Sequence, residues 1–243
     1  MRLLFLCGNE SCHNYFIRNI LEHIKGASWD IVKFHSSLSN LEYYTKIYEK
    51  ENMSEDENEY LREFIRRRNK GFVSDENIHF ENEYILLNGK SFNEQIDRLM
   101  ETNEYEYILS YGVPIINNSK VLDVLQKSIN LHFGLSRFYR GSETNIYALS
   151  RKEYDAVGLT AHKLAKKVDA GKVLFEITVS SYQNINNING LNEYLLKKAV
   201  VKLANTLVQK AFEYVGENPD AKLIYDKDLN IEHIMCAEKN LNL

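Results

Sequence analysis

Short apolar runs alternate with amphipathic segments along the first half of the chain. The runs at residues 3–7 and 29–34 predict buried strands, and apolar positions at helical spacing predict a helix over residues 12–24 between them. A strand, a helix and a second strand make up the βαβ unit that is typical of a parallel sheet. The same alternation continues, with strands predicted at 84–87, 105–111 and 129–132 and helices at 43–70, 93–100 and 121–125. We therefore expect an α/β fold with a mostly parallel central sheet flanked by helices.

The pattern changes after Lys172. A strand is predicted over residues 173–182 and a long amphipathic helix over 191–214, with one more short strand at 223–225. We expect one main domain over residues 1–215 and a short C-terminal extension over 216–243. An extension of that size is compatible with a dimer contact, so a homodimer is left open.

Length, charge and cysteine spacing argue against several kinds of binding partner. A chain of 243 residues buries a sufficient core without disulfides or metals, and a net charge of -4 is a poor electrostatic match for nucleic acid. No apolar run approaches the roughly 18 residues of a membrane span, and Gly8 interrupts the N-terminal run before it reaches the length of a signal peptide. Cys7, Cys12 and Cys236 show no metal-ligand spacing. We expect a cytoplasmic protein without a metal, a membrane partner or a nucleic-acid partner.

Two polar segments have both a structural and a functional interpretation. The loop that begins at Gly8 and Asn9 would lie at the carboxyl edge of the sheet, where open α/β sheets bind ligands; a simple turn is the alternative. It lacks the further glycines of a dinucleotide-binding loop. The run Arg66-Arg67-Arg68 either grips a phosphate or ends a helix in solvent, and the second interpretation is favoured.

Asn130, His132 and Asp169 are the candidates for chemistry. Residues two apart in a strand share a face, so Asn130 and His132 would project together. An amide donor beside an imidazole suits acyl transfer, in which one group stabilises an oxyanion and the other moves a proton. Taken alone, the pair fits a hydrogen-bonded structural histidine equally well. Asp169 lies in a predicted tight turn, either as a turn former or as a carboxylate that orients His132 and favours its cation.

The segment from residue 130 to residue 141 resembles the N-x-H…(Y/W)-R-G signature of the 10-formyltetrahydrofolate-dependent formyltransferases. Thr160-Ala161-His162 and Asp169-Ala170-Gly171 resemble the T-x-H…D-x-G element of that family, at matching spacing. The resemblance is good over residues 105–174 and only architectural before them. Arg137 stands where the family usually has a proline; that proline shapes the loop beside the amine pocket and performs no chemistry.

The resemblance implies a Rossmann-like fold and a set of roles. Asn130 and His132 would stabilise the oxyanion, Asp169 would hold His132 and help to move the proton, and His162 would support them. The cosubstrate 10-formyltetrahydrofolate would lie against Val113, Pro114, Ile115 and Ile116, facing Val168 and Ala170. The substrate side would include Gly8, Asn9, Tyr139, Arg140 and Gly141. No metal is implied.

The identity of the amine is less constrained. The negative charge and the short segment after Gly171 argue against a tRNA substrate. The Tyr139-Arg140-Gly141 ending is most similar to sugar N-formyltransferases, which act on nucleotide-linked amino-deoxy sugars for surface polysaccharides such as lipopolysaccharide. The alternatives are a glycinamide ribonucleotide enzyme, a transferase for another amine or a peptide, a formyltetrahydrofolate hydrolase, and a binding homologue without activity.

Overall fold

A seven-stranded sheet forms the centre of the protein. The computed structural model describes residues 1–36, 38–68, 70–116, 121–182, 185–216 and 220–241. The strands of the main sheet are β1 (Arg2–Gly8), β2 (Ser28–Phe34), β3 (Glu83–Leu86), β4 (Tyr107–Tyr111), β5 (Ser128–Phe133), β7 (Gly158–His162) and β8 (Val173–Thr178). They lie in the order β3-β2-β1-β4-β5-β7-β8. A smaller parallel pair consists of β6 (Tyr139–Gly141) and β9 (Lys222–Ile224).

The five strands from β3 to β5 are parallel, and β7 and β8 follow in antiparallel pairings. The predicted α/β class with a mostly parallel sheet is therefore confirmed. The helices are α1 (Ser11–His23), α2 (Asn40–Tyr48), α3 (Glu55–Arg67), α4 (Gly89–Thr102), α5 (Val121–Lys127), α6 (Thr144–Ser150), α7 (Ile188–Gln209) and α8 (Ile231–Leu241). Short 3₁₀ turns lie at Lys70–Asp75, Tyr154–Ala156 and Asp226–Asp228.

Helices cover both faces of the sheet, which explains why β1 reads as a continuous apolar run. Leu3 and Phe5 belong to the larger core cluster, which also contains residues of α1 and α7. Leu4 and Leu6 point to the opposite face and pack in the smaller cluster with residues of α4 such as Phe92. Both faces of this strand are consequently buried.

Two predicted helices differ from the structure. The single helix expected over residues 43–70 is wrong, because α2 ends at Tyr48 and α3 begins after Ser54, with Asn52 between them at a φ of 60°. The Ser54 side chain accepts a hydrogen bond from the Glu57 N–H, and this capping box starts a separate helix. The helix expected over residues 191–214 ends at Gln209, where the C-terminal cap is in the left-handed region.

The last part of the chain contains a helix that the sequence analysis missed. Helix α8 packs on α6, and its Ile231 and Ile234 belong to the larger core cluster. Strand β9 pairs with β6, which is the Y-R-G end of the N-x-H…Y-R-G segment. The division between residues 1–215 and 216–243 stays a prediction, while the described part of the second segment packs on the core of the first. Among the described residues, no helix has the length and the apolar character that crossing a membrane requires.

The strand order indicates the edge of the sheet at which a ligand is expected to bind. The chain proceeds from β1 through β2 to β3 on one side and from β4 to β5 on the other, so the order reverses between β1 and β4. Ligands of open α/β sheets bind beyond the carboxyl ends of the strands at such a switch point. Gly8 ends β1 and Gly112 follows β4 there, and β5, which carries Asn130 and His132, is the next strand.

Candidate active site

Asn130 is fixed from both neighbouring strands. It is in register with Ser110 on β4 and with His162 on β7. The Ser110 hydroxyl donates to Oδ1 of Asn130 at 2.8 Å, and Nδ2 of Asn130 lies 3.3 Å from Nε2 of His162. The buried amide therefore has a defined orientation, with one N–H directed to His162 and the second available to another acceptor.

His132 and Asp169 form a buried pair next to this amide. Nδ1 of His132 lies 3.2 Å from Oδ2 of Asp169, and the Gly141 N–H donates to the same oxygen at 3.1 Å. The other oxygen, Oδ1, lies 3.4 Å from Nε2 of His162. The backbone of Asp169 has a φ of 47°, in the left-handed region that few residues other than glycine adopt. The turn therefore directs its carboxylate towards both histidines.

The charges of the pair follow from burial and from each other. Burial lowers the pKa of His132, and the neighbouring carboxylate only partly offsets this effect, so the imidazole is neutral at neutral pH. Burial raises the pKa of Asp169, but His132, His162 and the Gly141 N–H outweigh it, and the pKa lies well below its ordinary value. Asp169 raises the pKa of His132, as expected, but burial lowers this pKa by more. In the neutral state, the carboxylate of Asp169 beside Nδ1 favours the tautomer with the proton on Nδ1, which leaves the lone pair on Nε2.

Nε2 of His132 points away from Asp169 and is the ring nitrogen available for a substrate. It is buried and makes no hydrogen bond to any residue that the structure describes. Gly134 keeps the space before it open: a Cβ there would lie 3.1 Å from Nε2 and 1.8 Å from the Thr144 hydroxyl, at a φ of 135°. That hydroxyl donates to the carbonyl oxygen of Phe133, so it is held in place.

Gly134→Ala is expected to destabilise the protein by roughly 1–3 kcal/mol, because the added methyl overpacks Thr144 and the backbone conformation disfavours alanine. Urea unfolding measures the change. Gly216→Ala is the matched control, since a Cβ there meets no atom of the described part of the chain within 4 Å. Equal stability of the two variants would contradict the close packing around Gly134.

The Tyr139-Arg140-Gly141 segment holds the Asp169 turn. Nη1 of the buried Arg140 donates to the Val168 carbonyl oxygen at 2.9 Å, and its Nε and Nη2 donate to the Ala221 carbonyl oxygen at 3.0 and 2.9 Å. The Tyr139 hydroxyl bonds Glu153. Arg140 therefore links the Asp169 turn to the residue that precedes β9. Substrate binding by Tyr139 and Arg140 stays a prediction.

A histidine that the sequence analysis did not single out fills the crevice near Gly8. The ring of His13 packs on Tyr111 at 4.6 Å, and its Nδ1 accepts the Glu10 N–H at 3.1 Å. A Cβ at Gly8 would lie 2.5 Å from the ring, and one at Gly112 would lie 2.6 Å from it. These two glycines make room for the ring, a signal that the sequence alone does not show. Nδ2 of Asn9 lies 3.4 Å from Nδ1 of His35, and substrate binding by Gly8 and Asn9 stays a prediction.

The residues predicted to bind the cosubstrate lie on two loops. Val113 and Ile116 pack against the smaller core cluster, whereas the Ile115 side chain is 79% exposed and its carbonyl oxygen accepts from Asn93. On the second loop, Val168 is 43% exposed and Ala170 is buried. Pro114 is half-buried. Exposed apolar side chains on both loops are compatible with the predicted pocket, which stays a prediction.

The expectation of a solvated helix end holds for only one of the three consecutive arginines. Arg66 is exposed and pairs with Glu63. Arg67 reaches Glu238 of α8. The guanidinium of Arg68 lies over the ring of Tyr44 and pairs with Glu143, which precedes α6, so it is largely but not completely buried. Within the described ranges, no group of three or more His, Cys, Asp or Glu side chains is placed to hold a metal ion.

The fold is that of the formyltransferases. No family model matches the sequence, and no curated protein matches it. A sugar N-formyltransferase from Shewanella sp. superposes with a TM-score of 0.57 at 16% identity, over 99% of this chain and 87% of that one. An N-formyltransferase from Helicobacter canadensis, in complex with folinic acid and dTDP-3-aminofucose, gives a TM-score of 0.56 at 16% identity, over 98% and 81%.

Glycinamide ribonucleotide transformylase 1 from Symbiobacterium toebii is similar to the same degree. Its TM-score is 0.56 at 14% identity, over 85% of both chains. Identities this low establish a shared fold. They leave the reaction and the substrate to be argued from the residues of this chain.

Proposed function

We propose that the protein is a folate-dependent N-formyltransferase that moves the formyl group of 10-formyltetrahydrofolate to a primary amine. The observation that carries this proposal is the convergence of Asn130, His132 and Asp169 at the carboxyl edge of the sheet, with Nε2 of His132 left unpaired among the described residues. A fold shared with several formyltransferases supports it.

The geometry supports His132 as the general base. Bound 10-formyltetrahydrofolate supplies the formyl group. Nε2 of neutral His132 takes the proton that the amine nitrogen loses as it attacks the formyl carbon, while Asp169 stabilises the resulting imidazolium. The imidazolium then gives the proton to the departing folate nitrogen. The free N–H of Asn130 donates to the formyl oxygen as negative charge develops there, a contribution of roughly 3 kcal/mol.

His162 acts in this scheme as a positioning residue. Its Nδ1 lies 2.7 Å from the carbonyl oxygen of Lys163, which fixes the proton on Nδ1. Nε2 is then an acceptor for the amide of Asn130. The ring thereby keeps Asn130 oriented without touching the reacting atoms.

The cosubstrate is proposed to lie between the loop of Val113, Pro114, Ile115 and Ile116 and the loop of Val168 and Ala170. Exposed apolar side chains on both loops support this placement, since a pterin needs apolar walls. Cys7 and Cys12 are buried thiols that form no disulfide, which supports a reducing, cytoplasmic location. The homodimer stays a prediction.

The proposed acceptor is the amino group of a nucleotide-linked amino sugar, for surface polysaccharide synthesis. Support comes from the Helicobacter canadensis protein bound to dTDP-3-aminofucose, and from a formyltransferase of Anoxybacillus kamchatkensis bound to tetrahydrofolate and a UDP-linked formamido sugar, with a TM-score of 0.52. Glycinamide ribonucleotide is the second candidate, because the Symbiobacterium toebii enzyme superposes equally well.

The test is a transfer assay with 10-formyltetrahydrofolate and separate dTDP-, UDP- and GDP-linked amino sugars, with glycinamide ribonucleotide alongside. Mass spectrometry should show one added formyl group on a sugar. Formylation of glycinamide ribonucleotide alone would select the second candidate, and folate consumption without an amine would select a hydrolase. If folate is neither consumed nor bound, the proposal is wrong.

A further inference from the structure

An arginine that the proposed mechanism does not use pairs with the carboxylate of Glu143, the residue that precedes α6. Nη1 of Arg68 lies 3.2 Å from Oε1 of Glu143, and its guanidinium carbon lies 3.8 Å from the centre of the Tyr44 ring. The Tyr44 hydroxyl donates to Oε1 of Glu10 at 3.4 Å, on the loop that follows β1. The guanidinium is therefore held on one side by an aromatic face and on another by a carboxylate.

Glu143 connects this pair to the Asp169 site along the chain. It lies two positions after Gly141, whose N–H holds the Asp169 carboxylate. Its φ of 44° is in the left-handed region, and its side chain makes no capping hydrogen bond to α6. Such a conformation costs of order 1–3 kcal/mol and persists only where the surroundings impose it. Here the carboxylate pairs with Arg68 in place of capping the helix.

The Nε–H group of Arg68 is a hydrogen-bond donor that a ligand could use. A guanidinium carries five N–H groups, and Nε of Arg68 is buried without a partner among the described residues. A buried donor without an acceptor is unfavourable, so an oxygen of a ligand would be stabilising there. The side chains of Arg68 and Glu143 each keep 18% of their surface exposed, which leaves the pair within reach of a ligand.

The charges around the pair determine the kind of oxygen. Glu143 already offsets Arg68, and Glu10 adds a second carboxylate beyond Tyr44, so a phosphate would meet more negative than positive charge. A neutral hydroxyl can accept from Arg68 and donate to Glu143, and both of these hydrogen bonds are charge-assisted. Tyr43 lies beside Tyr44 with an exposed ring and offers an apolar surface to a sugar.

We propose that Arg68 and Glu143 bind a ring hydroxyl of the acceptor, and so select a hydroxylated amino sugar over its deoxy analogue. This inference rests on the proposed function. Arg68 and Glu143 are specificity-determining residues in it, and they take no part in the transfer of the proton.

The test compares two nucleotide-linked amino sugars that differ only in the hydroxyl beside the amine. The unaltered protein should prefer the hydroxylated sugar by roughly 10- to 100-fold in kcat/KM. Arg68→Met and Glu143→Gln should reduce this preference to nearly none, through the KM for the sugar, while the KM for 10-formyltetrahydrofolate stays constant. Arg66→Met is the matched control, since that exposed arginine lies in the last turn of the same helix and pairs with Glu63.

Arg68→Lys keeps the charge and the ion pair but removes Nε, so it should fold as the parent does and still lose most of the preference. Thermal melting verifies folding of every variant, and calorimetry measures binding of both sugars. Equal kcat/KM for the two sugars, or an unchanged preference in the variants, would overturn the inference. Neither result would contradict the proposed formyltransferase function. If neither sugar is bound or formylated, the inference and the proposed sugar acceptor are both wrong, while folate consumption still tests the N-formyltransferase proposal separately. Binding that depends on the hydroxyl and on Arg68, without transfer, would support the inference alone.

Discussion

Replacing His132 with alanine should lower the rate of formyl transfer by roughly 10²–10⁴-fold. The buried imidazole is neutral, its Nδ1 faces Asp169, and its Nε2 is the proton acceptor in the proposed mechanism. Alanine removes that acceptor, while Asp169 has both carboxylate oxygens in contact with other groups and cannot replace it. The measurement is the rate of a single turnover with saturating folate and amine.

The variant should still bind folate, because the residues proposed to hold it lie on other loops. His23→Ala is the control, since this exposed histidine ends α1. Thermal melting establishes whether the loss of the buried ring has also reduced stability. A folded His132→Ala protein whose rate stays within tenfold of the parent would exclude His132 as the general base.

The elements that follow from local pattern were predictable. Strand β1 is covered on both faces, so its unbroken apolar run identified it, and the two-residue period placed Asn130 and His132 on one face of β5. The break between α2 and α3 was also present in the sequence, as the capping box from Ser54 to Glu57. Its signal was outweighed by the charge-rich helical pattern on either side.

What depends on long-range pairing was not predictable. The antiparallel register of β5 and β7 sets His162 opposite Asn130, and a slip by one residue would turn His162 to the other face. From the residues alone, Asp169 was either a turn former or a carboxylate that orients His132. In the structure it is both, because it has a positive φ in a turn and contacts His132. The burial of Arg68 depends on Tyr44 and Glu143, which are distant in sequence, so nothing local distinguished it from its exposed neighbour Arg66.

Asp169→Asn should reduce transfer on the order of 10³–10⁴-fold with little change in structure. Asparagine tolerates the left-handed backbone at this position, and its oxygen can still accept from His132 and Gly141. Its NH₂ group can donate to Nε2 of His162, whose own proton lies on Nδ1. The variant therefore loses the negative charge that stabilises the imidazolium and keeps the hydrogen bonds. Single-turnover rates measure the loss, and melting confirms the fold.

The pH dependence of the Asp169→Asn variant distinguishes the loss of the Asp169 charge from a change in the geometry of the site. Asp169 raises the pKa of His132, so its neutralisation should lower that pKa further, and the acid limb of kcat/KM should move to lower pH. Stability should respond as well. The folded-state pKa of Asp169 is below the unfolded value of about 3.9, so its contribution is present above that pH and is lost as the pH falls through the folded pKa. Urea unfolding from neutral to acid pH should therefore show a weaker acid loss in Asp169→Asn, and an unmoved acid limb in the rate profile would exclude the proposed coupling between Asp169 and His132.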